Sequence, residues 1–121
     1  MPKKNKILLV DDEKAILNFL KIKLRVSGYD VVTAAGGQEA LDLISSALPD
    51  IMLLDIIMPG IDGFEVLEKI QKPSSLLVIA FSAGPENAQK AMSLGADDFI
   101  AKPFDVDLLV NKIKVLLAHN I

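Results

Sequence analysis

Asp11 and Asp12 close a short apolar run, Lys6-Ile7-Leu8-Leu9-Val10. Asp55 closes a second, Ile51-Met52-Leu53-Leu54, and Lys102-Pro103 closes a third, Asp98-Phe99-Ile100-Ala101. Short apolar runs of this kind read as buried parallel strands. In open α/β sheets the ligand site lies beyond the carboxyl ends of the strands. Three carboxylates and one ammonium then meet at one sheet edge, a set that suits a hard cation and a phosphoryl group. A carboxylate with an ordinary pKa of roughly 3.9 is ionised at neutral pH. Asp55 would therefore need no general base to attack a phosphoryl group. The single histidine, His119, falls in the last turn of the last expected helix and reads as a solvated or capping residue. Asp11 and Asp12 beside Asp55 repel one another and raise each other's pKa. A divalent cation removes that conflict, and Mg²⁺ binds through one or two carboxylates plus substrate phosphate. Taken singly, Asp55 is a turn residue, the Asp pair a helix cap, Lys102 a snorkelling surface lysine and Ser82 a turn serine. Their order along the chain, each at a strand end, is what favours chemistry.

Strand and helix signals alternate throughout. Strands are expected over Lys6–Val10, Asp30–Ala34, Ile51–Asp55, Leu76–Phe81 and Asp98–Ala101. Between them, Glu13 to Val26 places Ile16, Leu17, Leu20 and Leu24 on one helical face, and Ser27-Gly28 ends the helix. Gln38 to Ser46 turns Ala40, Leu41 and Ile44 inward, and Pro49-Asp50 breaks it. Asp62 caps a helix from Gly63 to about Gln71, with Glu65 placed to bond back. Lys72-Pro73-Ser74-Ser75 is a loop. A helix runs from Pro85 to Leu94 and is closed by Gly95. The last spans about Asp105 to His119, with Leu109, Ile113, Leu116 and Leu117 inward. Five βα units with short links predict one parallel sheet.

The chain has 121 residues, which reads as one domain over 1–121. A net charge of −3 argues against a general nucleic-acid binder. With no cysteine there is no disulfide or thiolate chemistry. No stretch reaches transmembrane length, and the N-terminus does not read as a signal peptide. The expected setting is cytoplasmic, without membrane contact.

Leu9-Val10-Asp11-Asp12-Glu13, Asp55-Ile56-Ile57-Met58-Pro59-Gly60-Ile61-Asp62-Gly63, Ser82-Ala83 and Lys102-Pro103-Phe104 together resemble the receiver domain of two-component response regulators. The resemblance covers nearly the whole chain. It implies a doubly wound, five-stranded parallel α/β sheet in the order 2-1-3-4-5, with helices on both faces. Strand and helix alternation alone leaves that order open. It also implies a regulatory domain, not a conventional enzyme, that catalyses phosphorylation and dephosphorylation of its own Asp55. The donor is a sensor histidine kinase and the cofactor is Mg²⁺. Asp12, Asp55 and the carbonyl of Ile57 would hold the cation directly, and Asp11 through a water. Lys102 would meet the phosphoryl oxygens, and the bond before Pro103 would be cis. Ser82 would donate to a phosphoryl oxygen, and Phe99 would act as the aromatic switch. Relatives often carry tyrosine there; Phe99 has no hydroxyl. Ile57 and Gly84 depart from the polar side chains some relatives place along the path of the hydrolytic water.

Gly95-Ala96-Asp97-Asp98-Phe99 and the final helix are similar to receivers of OmpR-like transcription factors. That likeness implies a homodimer through the fourth helix, fifth strand and fifth helix, with Lys112 and Asp97 or Asp98 in an ion-pair lattice. Leu108 stands where an acid is common, so the lattice is incomplete. Output would be transcriptional, through an output domain absent from this chain. The alternative is a stand-alone receiver acting through protein contacts or a phosphorelay. An aspartyl-phosphate hydrolase is the rival of another class, but it would place a second acid where Ile57 stands and needs a cap domain. A flavodoxin-like mononucleotide binder would need a glycine-rich loop after the first strand, where the two acids repel phosphate.

Overall fold

A computed structural model describes residues 3–70 and 76–119. The elements are β1 (Lys6–Val10), α1 (Lys14–Val26), β2 (Asp30–Ala34), α2 (Gly37–Ala47), β3 (Ile51–Asp55), α3 (Gly63–Ile70), β4 (Leu77–Ser82), a 3-10 turn (Pro85–Asn87), α4 (Ala88–Ser93), β5 (Asp98–Ala101) and α5 (Val106–His119). All ladders are parallel and the sheet order is β2-β1-β3-β4-β5. This is the order that the resemblance implies. The loop expected over Lys72-Pro73-Ser74-Ser75 lies outside the described residues.

Side chains on a strand alternate between the two faces of the sheet, and each face has its own core. Leu8, Val10, Met52, Leu54, Val78 and Ala80 pack on one face with Ala40, Val66, Leu67 and Ala91 from α2, α3 and α4. Ile7, Leu9, Ile51, Leu53, Ile79 and Phe81 pack on the other with Leu17, Leu20 and Leu24 of α1 and Leu109 and Ile113 of α5. Burial on both faces explains why the central strands read as unbroken apolar runs. Asp50 sets the start of β3: its carboxylate accepts the Lys6 N–H at 2.7 Å, and its own N–H donates to the Lys6 carbonyl at 2.9 Å.

Most element ends agree with the sequence reading to within a residue, and two differences bear on the site. β4 begins at Leu77 and takes in Ser82, because the ladder to β5 pairs Ser82 with Ala101. The helix expected from Pro85 to Leu94 is split. Its first three residues form a 3-10 turn, closed by Asn87 N–H on the Gly84 carbonyl at 3.0 Å. Only Ala88–Ser93 is α-helical.

Candidate functional site

Among the described residues, the buried polar or charged side chains are Asp11, Asp55 and Ser82. A buried charge is costly unless it is paired. All three lie at the carboxyl edge of the sheet, at the ends of β1, β3 and β4. Lys102, just past β5, reaches across that edge. Its Nζ lies 3.2 Å from Asp11 Oδ2 and 3.4 Å from Asp55 Oδ2. The ammonium also sits 4.9 Å from the centre of the Phe81 ring. The Phe81 ring in turn meets Phe104 edge-on at 5.9 Å. The Lys102–Pro103 bond is cis.

Burial and the nearby Asp11 charge push the Asp55 carboxyl up to about 6, against the partial relief given by Lys102. Burial works against the Lys102 ammonium, but Asp55 and Asp11 together outweigh it and raise its pKa. The repulsion between Asp11 and Asp55 is therefore relieved only in part. Lys102 bridges the two, a role that the sequence reading did not give it.

Local structure holds each group in place. Asp11 Oδ1 accepts the Glu13 N–H at 2.9 Å, which ties the acid to the entry of α1. Glu13 is the exposed N-cap residue and makes no side-chain cap bond. Asp55 Oδ1 lies 3.4 Å from the Ile57 N–H. Asp62 accepts the Glu65 N–H at 2.9 Å and so starts α3 as the sequence predicts. Gly63 lets α3 press on the backbone beneath Asp55. A Cβ there would meet the Asp55 carbonyl oxygen and Ile56 Cα, each at 2.6 Å.

The carboxylates of Asp11, Asp12 and Asp55 each offer an oxygen, and the three oxygens lie within 4.8 Å of one another. Two oxygens bound directly to Mg²⁺ at about 2.1 Å lie no more than about 4.2 Å apart, so the cluster suits a cation held directly by some of these acids and through a water by another. Asp12 is exposed, on the open side of the cluster. A cleft of about 260 Å³ opens here, lined by Asp12, Glu13, Asp55, Ile57, Ala83 and Lys102. A separate apolar groove of about 330 Å³ between α1 and the start of α5 shares Ala83 and Lys102 with it.

Ser82 is wholly buried, and its Oγ accepts from the Gly84 N–H at 3.1 Å and Asn87 Nδ2 at 3.0 Å. Phe99 is half-buried against the α4-side core. His119 bonds its own helix, with Nδ1 2.7 Å from the Val115 carbonyl. Sequence reasoning missed two residues. Phe81 supports Lys102, and its only signal was an aromatic ring beside Ser82. Asn87 had no signal, because its reach to Ser82 depends on the 3-10 turn.

The response regulator receiver domain family matches residues 7–114. The chain is 41% identical over 119 residues to a probable transcriptional regulator, ycf27, of Guillardia theta; the match covers 97% of this chain and 47% of that protein. It thus spans about half the length of that curated relative. It is similar to the structure of a CheY-like receiver domain protein from Methanospirillum hungatei, at 36% identity and a TM-score of 0.90, covering 98% and 97% of the two chains. The TrrA response regulator of Thermotoga maritima, solved in complex with Mg²⁺ and BeF, is 39% identical with a TM-score of 0.84, covering 93% and 98%. Sequence and fold agree: this chain belongs to the response regulator receiver domain family of two-component systems.

Proposed function

We propose that Asp55 accepts a phosphoryl group from the phosphohistidine of a sensor histidine kinase, and that the resulting charge switches the chain between two states. One observation carries this reading. The buried polar groups at this edge are two carboxylates and a hydroxyl, with one lysine reaching in. In transfer, an Asp55 oxygen forms a bond to phosphorus as the phosphorus–nitrogen bond to the donor breaks. The bonding pair stays on the donor imidazole. Lys102 meets the charge that spreads over the equatorial oxygens. Asp12, Asp55 and the Ile57 carbonyl would hold Mg²⁺, with Asp11 acting through a water. The cation, when bound, neutralises the acids and the phosphoryl oxygens. In hydrolysis, water attacks phosphorus and the Asp55 oxygen leaves with its bonding pair. Ile57, 61% exposed, places an apolar side chain beside that path.

Phosphoryl charge of about −2 draws Ser82 inward, and Phe99 follows into the space it leaves. The face of α4, β5 and α5 is then remodelled, as a two-state element requires. Within the chain Lys112 Nζ pairs with Asp98 Oδ2 at 3.0 Å, and Asp97 accepts the Val78 N–H at 2.8 Å. All three residues expected in a dimer lattice are thus engaged within the chain, and Leu108 stands where an acid would complete it, so self-association through this face is weak. The name of the longer ycf27 relative, a probable transcriptional regulator, supports a transcriptional output. A cytoplasmic setting and no direct nucleic-acid contact by this unit belong to the same proposal. Among the described residues, no helix is long and apolar enough to cross a membrane.

Acetyl phosphate tests the chemistry. Mass spectrometry should show one phosphoryl group on the wild-type chain only when Mg²⁺ is present, and none on Asp55→Asn. Equal labelling of both chains would overturn the assignment.

A further inference from the structure

A serine hydroxyl has two lone pairs and one proton. Both Ser82 lone pairs are occupied, by the Gly84 N–H and by Asn87 Nδ2. The Asn87 N–H closes the 3-10 turn on the Gly84 carbonyl. Residues 82–87 are thus one hydrogen-bonded unit, and Asn87 is its last link before α4. An asparagine at a helix start ordinarily accepts from the first-turn N–H groups. Asn87 is the N-cap residue of α4 but makes no side-chain cap bond. Its amide is turned back to Ser82 instead. Gly84 leaves room for this, since a Cβ there would collide with the Glu86 carboxylate and sit 3.1 Å from Asn87 Nδ2. The helix is short, with six residues and one buried side chain, Ala91.

We propose that Asn87 is a latch on Ser82. It is a positioning residue that holds the hydroxyl against the start of α4 in the resting state. It gives the hydroxyl up when a phosphoryl group on Asp55 draws Ser82 away. The proposal rests on the phosphoacceptor reading above. The latch opposes activation, because the Asn87–Ser82 bond must break before Ser82 can move. It also ties that movement to the first turn of α4.

Beryllofluoride with Mg²⁺, titrated into the full chain and followed by amide NMR shifts, measures the balance. A net hydrogen bond sets the scale of the effect. Asn87→Ala and the near-isosteric Asn87→Leu should each bind beryllofluoride about two- to tenfold tighter than wild type. In a Ser82→Ala background, the same two substitutions should change nothing. Unchanged or weaker binding in either variant overturns the latch, and so does an equal gain in the Ser82→Ala background. If the wild type gives no Mg²⁺-dependent binding that Asp55→Asn lacks, the phosphoacceptor reading itself fails.

Discussion

Asp11 and Asp55 stand at the ends of β1 and β3, where Ile7–Val10 and Ile51–Leu54 have no exposed surface. On the other side of the cleft, Ser82 leads into a 3-10 turn and a six-residue helix with one buried side chain. The first side is fixed by two cores, one on each face of the sheet. The second is tied by hydrogen bonds among residues 82–87 and by Ala91 and Leu94 against one core. Like charges can be crowded only where the backbone does not yield. A phosphoryl charge can be read at a distance only where something yields easily. The cleft brings both kinds of structure to one group of atoms.

The largest test of that contrast is mechanical. Leu53, wholly buried in β3, should lose about 2–5 kcal/mol on Leu53→Ala. Met92, 44% exposed on α4, should change stability by less than about 0.5 kcal/mol on Met92→Ala. Urea unfolding measures both, and similar losses would erase the distinction.

A smaller effect concerns the strain held on the rigid side. The Asp55 pKa is raised to about 6 in the folded chain from 3.8. The folded state then binds this proton more tightly than the unfolded state does. The stability linked to it is fully present below about pH 3.8 and is lost as pH rises through about 6. In a chelator, Asp55→Asn should melt a few degrees above wild type at pH 7.5. Once pH falls below the lower value, that gap should close. A gap that stays constant with pH would show that burial and Asp11 do not strain Asp55.

The smallest effect lies on the output face. Lys112 and Asp98 keep 27% and 34% side-chain exposure, so their ion pair contributes less than about 1 kcal/mol and is screened by salt. Lys112→Ala should cost no more than that in chemical denaturation, and the loss should shrink in high salt. A larger loss would make this face as rigid as the floor of the cleft.

The parts legible in the sequence were those that repeat a local pattern. Strand runs ending in Asp11, Asp55 and Lys102 fixed the sheet edge, because burial on both faces forces continuous apolar residues. The Asp62 cap and the Gly28 and Gly95 helix ends were equally local. What escaped was set by contacts across the cleft. The bridging of two acids by Lys102 joins β1, β3 and β5, and no spacing along the chain encodes it. The split before Ala88 goes with an Asn87 amide turned to Ser82, a contact that helix propensity does not report. Strand order likewise came from the resemblance, since βα alternation is the same for every order of five parallel strands.

Ala83 and Lys102 belong to two cavities at once, the acidic cleft and the apolar groove beside α1. A shared wall gives the two spaces a route by which one could affect the other. Anything seated in the groove that moves the lysine changes how strongly the acids hold a cation. By reciprocity, a cation among the acids changes the affinity of the groove by the same factor. Only a groove ligand that displaced Lys102 would sense the cleft's occupancy, and it would do so without touching a carboxylate.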